Sequence, residues 1–160
     1  MGSWGYKALE SDEGLEVVGF LERYVAGLPG QQVDLLLMDV ITALRRDGMF
    51  GVTHDEVDFL YDNTAMALAE LYVSYLDNGE LSYSRSDPTR DLKTRVMSFT
   101  ADAQSLQFLL RYLTDISDAV SNPGSEREIV ELWVVGPPDH WVRHLRDLIA
   151  RLADELRRQA

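Results

Sequence analysis

Apolar side chains in this chain recur at intervals of three and four residues almost from end to end. That spacing is the period of a helix with one buried face, and it constrains the fold more than any other feature. The clearest case is Val33, Leu36, Leu37, Val40, Ile41 and Leu44, a single stripe that predicts a helix closed by Arg45, Arg46 and Gly48. Ahead of it, Leu15, Val18, Leu21, Val25 and Leu28 repeat in the same way after Ser11 and Asp12, both good N-caps. Leu28-Pro29-Gly30 stops that first helix.

Thr53 and Glu56 have the spacing of a capping box. They predict a long third helix through Val57, Leu60, Tyr61, Thr64, Leu68, Leu71, Tyr72 and Tyr75, ending at Asn78-Gly79. Thr100 is the expected cap of a fourth helix carrying Leu106, Leu109, Leu110, Leu113, Ile116 and Val120, which Asn122-Pro123-Gly124 stops. Ser125 and Glu128 form a second capping box before a short helix with Ile129, Leu132 and Trp133. After Gly136-Pro137-Pro138, Asp139 caps a last helix whose inner face is Trp141, Leu145, Leu148, Ile149, Leu152 and Leu156. Residues 80–99 alternate only weakly and read equally as a short β-hairpin around Asp87-Pro88 or a long polar loop. The expected fold is therefore all-α, a compact single-domain bundle of about six helices over residues 1–160.

Charge narrows the function. The chain carries 15 basic and 27 acidic side chains, for a net charge of -12. A field of that sign repels phosphate, so neither nucleic acid nor an anionic membrane is an expected partner. The excess is uneven. From His140 onward five arginines face three carboxylates, giving +2 and leaving -14 on residues 1–139. An acidic body with a mildly basic terminal helix suits a basic protein partner or head-to-tail assembly, a homodimer included. Cysteine is absent, which excludes disulfides, thiolate metal sites and thiol catalysis. The first residues lack the apolar core of a secretory signal, Tyr6 occupies a position that myristoylation requires to be Ser or Thr, and Leu35–Met38 is too short to span a bilayer. These observations place the expected protein in the cytoplasm.

The segment Met1-Gly2-Ser3-Trp4-Gly5-Tyr6 and the acidic Glu10-Ser11-Asp12 ahead of the first helix resemble the opening of a bacterial domain family of unknown function. The stretches 59–67, 98–102, 108–116 and 126–133 are similar to longer members of that family. Gly136-Pro137-Pro138 departs from it, standing where a charged connector is expected. The resemblance implies a small, soluble bacterial cytosolic protein and brings with it no activity, cofactor or catalytic residue.

Candidate binding residues are Trp4, Asp62, Asn63, Arg111 and Asp115. Trp4, flanked by Gly2 and Gly5, reads as a plug sealing the bundle or as an aromatic anchor for a partner. Asp62-Asn63 lies among apolar and Ala positions, while Arg111 and Asp115 are one helical step apart. If their helices pack, Asp62 meets Arg111 in a bidentate pair that either fixes register or lines a small polar pocket. Asp55, Asp58 and Asp62 share one face of the expected third helix and read as a solvated or Arg-paired face rather than a cation site. His140 and His144 have a metal-compatible spacing but read as exposed, and His54 reads as structural beside its cap. No nucleophile elbow, P-loop or dinucleotide fingerprint is present. The sequence favours a non-enzymatic module that binds a protein partner, such as a toxin domain it neutralises. No cofactor or metal is expected. The alternative is a ligand binder or enzyme built on the Asp62, Asn63, Arg111 and Asp115 region.

Overall fold

The structure, a computed structural model, describes residues 6–53, 55–81, 92–122, 124, 126–134 and 139–159. Among them the fold is all-α apart from one small sheet. A 3₁₀ turn at Ala8–Glu10 leads into α1 (Asp12–Ala26), strand β1 (Val33–Leu36), α2 (Leu37–Arg46) and α3 (Phe59–Asn78). A single turn, α4 (Leu92–Arg95), then feeds β2 (Val96–Thr100), α5 (Ala103–Val120), α6 (Glu128–Val134) and α7 (Asp139–Arg158).

Helix α3 is the axis of the molecule. Every residue from Asp62 to Tyr72 is buried, so this helix has no wet face along its middle. It packs against α1, α5, α6, α7 and the 3₁₀ turn. Ala65, Ala67 and Ala69 keep it thin enough for neighbours on all sides. It ends as expected at Asn78, with Gly79 in the left-handed region at φ 74°.

Its start differs from the sequence expectation. Glu56 does turn back, accepting hydrogen bonds from the Val52 and Thr53 N–H groups at 2.9 and 3.2 Å. That contact closes an isolated turn, and Asp58 is the true cap, accepting from Leu60 N–H at 2.8 Å. Val57, outside the helix, is exposed. Asp55 and Asp58 thus precede the helix and do not share a helical face with Asp62.

The expected second helix also loses its first turn. Val33–Leu36 is extended and pairs in parallel with β2, aligning Leu35 with Phe99 and Leu36 with Thr100. Val33 and Leu35 are buried while Asp34 and Leu36 are exposed, the alternation of a strand. The helical stripe predicts a buried Leu36, but strand pairing turns it outward. Residues 96–100 are therefore neither loop nor hairpin but the second strand of this parallel pair, and residues 82–91, with the suggested Asp87-Pro88 turn, lie outside the described residues. Thr100 ends the strand, and Asp102 caps α5 through Ser105 N–H at 2.8 Å. Ser125, proposed to cap the short helix, also lies outside the described residues, as do Trp4 and His54.

Candidate functional site

The site is assembled on the half of the molecule where the N-terminal segment meets α3, α6 and α7. The first step is local. Ser11 caps α1 by accepting from Gly14 N–H at 3.1 Å, and its hydroxyl donates to Ala8 O at 2.5 Å. This folds the 3₁₀ turn back onto the helix start. Gly14 is required there, since a Cβ would lie 1.9 Å from Ala8 O.

The second step fastens that turn to α3. Glu70, buried on α3, accepts from the Ala8 and Leu9 N–H groups at 2.7 and 2.9 Å. His144 Nε2 lies 2.8 Å from the same carboxylate. With both oxygens accepting, the shared hydrogen belongs to His144. His144 is thus held by Glu70 rather than exposed as its spacing suggested, whereas His140 is exposed. Tyr6 packs against both imidazoles, its ring centre 5.9 Å from that of His140 and 5.4 Å from that of His144.

The third step anchors α6. Asp62 accepts two hydrogen bonds from Arg127, from Nε at 2.8 Å and from Nη2 at 2.7 Å, and both residues are buried. Burial pushes the Asp62 carboxyl above its ordinary range against the pull of Arg127, and the charges of Asp58 and Asp115 push the same way. The bidentate pair expected for Asp62 exists, but its partner is Arg127 and not Arg111. Arg111 is exposed and lines a different surface groove with Arg45 and Phe108. Asp115 is half-buried on α5, near enough to act on Asp62. The four polar residues singled out in the sequence therefore do not converge on one site.

Between these fastenings a pocket of about 270 Å³ opens to the surface. Its aromatic lining comes from Tyr6, Phe59, Trp133 and Trp141, and the two indoles stack with centres 6.3 Å apart at 7°. Trp141 is buried, Trp133 half-buried, and Tyr6 and Leu132 stand exposed at the rim. Besides Ser11, already engaged in its cap, Asn63 is the buried polar group of the lining. Its Nδ2 donates to Phe59 O at 2.8 Å, which assigns the amide, and its Oδ1 receives no hydrogen bond among the described residues. Glu13 and Lys7 also border the opening.

Among the described residues, Asn63 is the one candidate from the sequence that lines this pocket. From the sequence, Trp141 reads as the inner face of the last helix and Trp133 as part of the short helix before it, while Tyr6 and Phe59 carry no site role. A signal was available, because Trp133 falls next to Leu132 on a helix whose other residues are mostly acidic or aliphatic. The role of Arg127 also had a signal, as the only Lys or Arg between Arg111 and Arg143.

Among the described residues no group of three or more His, Asp or Glu side chains could hold a metal ion, and no helix is long and apolar enough to cross a membrane. Fold and site together define a helical protein with a small aromatic pocket at its surface. Residues 2–144 match the model of the family described as a domain of unknown function, DUF4259, and the chain belongs to that family. No curated protein and no solved structure matches it.

Proposed function

We propose that this chain is a non-enzymatic module that recognises a protein partner through the aromatic pocket. The observation that carries this reading is the size and lining of that pocket. At about 270 Å³ it falls below the range that encloses a drug-sized molecule, and it suits a single side chain presented by a larger surface. Exposed Tyr6 and Leu132 extend apolar contact beyond its mouth, in the manner of an anchor site at an interface. Trp4 is kept in the proposal as a further aromatic anchor for the partner. The net charge of -12 favours a basic partner and rapid association.

The wider reading is a cytoplasmic bacterial protein acting as one domain of 160 residues. Neutralisation of a basic toxin domain fits its acidic surface. The alternative small-ligand site keeps Asn63 but loses Arg111, which opens on another face.

Photo-crosslinking in the native host tests the reading. A photoreactive residue at Leu132 should capture one defined protein, and the same residue at exposed Met97, on the sheet, should not. Trp133→Ala should abolish the capture while the far-ultraviolet spectrum stays helical. Equal capture from both positions would refute a partner at the pocket.

A further inference from the structure

We infer that the residue received by this pocket is an arginine of a basic partner segment. The inference rests on the partner reading above and specifies its chemistry. Three independent features of the lining point to a planar cation.

The walls are π-faces. Trp133 is half-buried and stacks by one face on Trp141, and Tyr6 and Phe59 complete an aromatic enclosure. Aromatic faces attract guanidinium groups, and the planar guanidinium stacks more closely than a hydrated ammonium. Of the two buried polar side chains in the lining, Ser11 is engaged in its cap and Asn63 presents an acceptor. Asn63 gives one of its two Nδ2 hydrogens to Phe59 O, and its Oδ1, which receives no hydrogen bond among the described residues, calls for an N–H donor. The surrounding charge is negative. The elements that border the pocket carry Lys7, Arg23 and the five arginines of α7 against a larger number of carboxylates, among them Glu10, Asp12, Glu13, Asp58, Glu128 and Glu131. Of these, Glu13 lines the opening and makes no ion pair among the described residues. An anionic or purely aliphatic side chain would leave Asn63 Oδ1 without a donor, and an anion would also face this field.

Lys7 sharpens the test because it is the like charge at the rim. The experiment is an NMR titration of the full chain with acetyl-Gly-Arg-Gly-amide, using the citrulline peptide as the neutral isostere and the leucine peptide as the apolar control. Arginine should shift the Trp133 and Trp141 indole N–H and the Asn63 side-chain amide saturably. It should bind about tenfold more tightly than citrulline, the weight of a cation over an aromatic face. Lys7→Ala should tighten arginine binding by several-fold, and Glu13→Gln should weaken it by a similar factor. Trp133→Phe, which keeps a ring in the wall, should retain binding that Trp133→Leu loses.

Citrulline binding as well as arginine would overturn the inference. So would a weakening by Lys7→Ala, or shifts scattered over the acidic surface rather than gathered at the pocket. Saturation by the leucine peptide alone would also overturn it while leaving an apolar anchor for the partner. Absence of any peptide effect at the pocket would overturn the arginine assignment, and the Leu132 crosslink reports separately whether a partner docks there.

Discussion

Helix α3 clasps an arginine at each end, and the two clasps share one geometry in opposite surroundings. Near its start Asp62 takes Arg127 with both oxygens, at 2.7 and 2.8 Å. Near its end Asp77 takes Arg151 with both oxygens, at 2.5 and 3.0 Å. Side-chain exposure is 1% and 9% in the first pair but 49% and 41% in the second. The carboxyl groups respond in opposite directions. Asp77 is lowered, chiefly by its hydrogen bonds from Arg151, whereas Asp62 is raised, because burial outweighs the same kind of partner. Identical contacts therefore do not imply equal contributions. What decides is how much water each pair has given up.

The largest effect should come from breaking the buried clasp. Asp62→Ala should cost about 3–5 kcal/mol in urea unfolding, because it strands a guanidinium that cannot lose its proton. Arg127→Ala should cost less, since the remaining carboxyl can neutralise itself. Asp62→Leu combined with Arg127→Met should recover most of the loss. Equal costs for the two single variants would break the argument from burial.

A middle effect belongs to Glu70. Glu70→Ala leaves the Ala8 and Leu9 N–H groups without their acceptor and should cost about 1–3 kcal/mol. It should also raise hydrogen exchange across residues 6–10 more than elsewhere, because the fastening of that segment is what is lost.

The smallest effect lies at the exposed clasp. Arg151→Ala should cost less than about 1 kcal/mol and less still in high salt. Acid titration then separates the two pairs by sign. A lowered Asp77 contributes stability that is present above the ordinary carboxylate range and fades as pH falls through its folded value. A raised Asp62 does the reverse, its folded form holding the proton longer, so its contribution fades as pH rises through its folded value. Unfolding free energies measured from pH 3 to 6 should show Asp77→Asn flattening the acid loss and Asp62→Asn removing the opposing slope.

The same contrast explains how much could be read from the sequence. Local signals held wherever the chain's neighbours are also its partners. The stripe of α7, the Ser11 cap of α1 and the Gly79 stop of α3 depend on contacts within a few residues. Signals failed where a distant segment decides. Val33–Leu36 carries helical spacing yet becomes a strand, because Val96–Thr100 supplies a ladder that no window around residue 33 contains. Asp62 was recognised as a candidate pairing residue, but its partner stands 65 positions away, and nothing local favours Arg127 over Arg111. Within the site, Asn63 was legible because a polar residue among alanines needs an explanation. Trp133 and Trp141 were not, because an aromatic on a helix reads as core until tertiary packing leaves one of its faces uncovered, and Tyr6, ahead of the first turn, has no periodic pattern around it.

The carboxylates of α3 also set a schedule for the nascent chain. Asp62 finds its cation 65 residues later, and Glu70 meets His144 74 residues later. While the ribosome works toward residue 127, the helix destined to be the most enclosed element carries one carboxylate, Asp62, whose cation has not been made, whereas Glu70 already has the Ala8 and Leu9 N–H groups. Water must serve Asp62 in the interval, which keeps the start of the central helix from being sealed early. Closure of the core thus waits for the last third of the chain, and α3, although synthesised before the midpoint, is among the last elements to become dry.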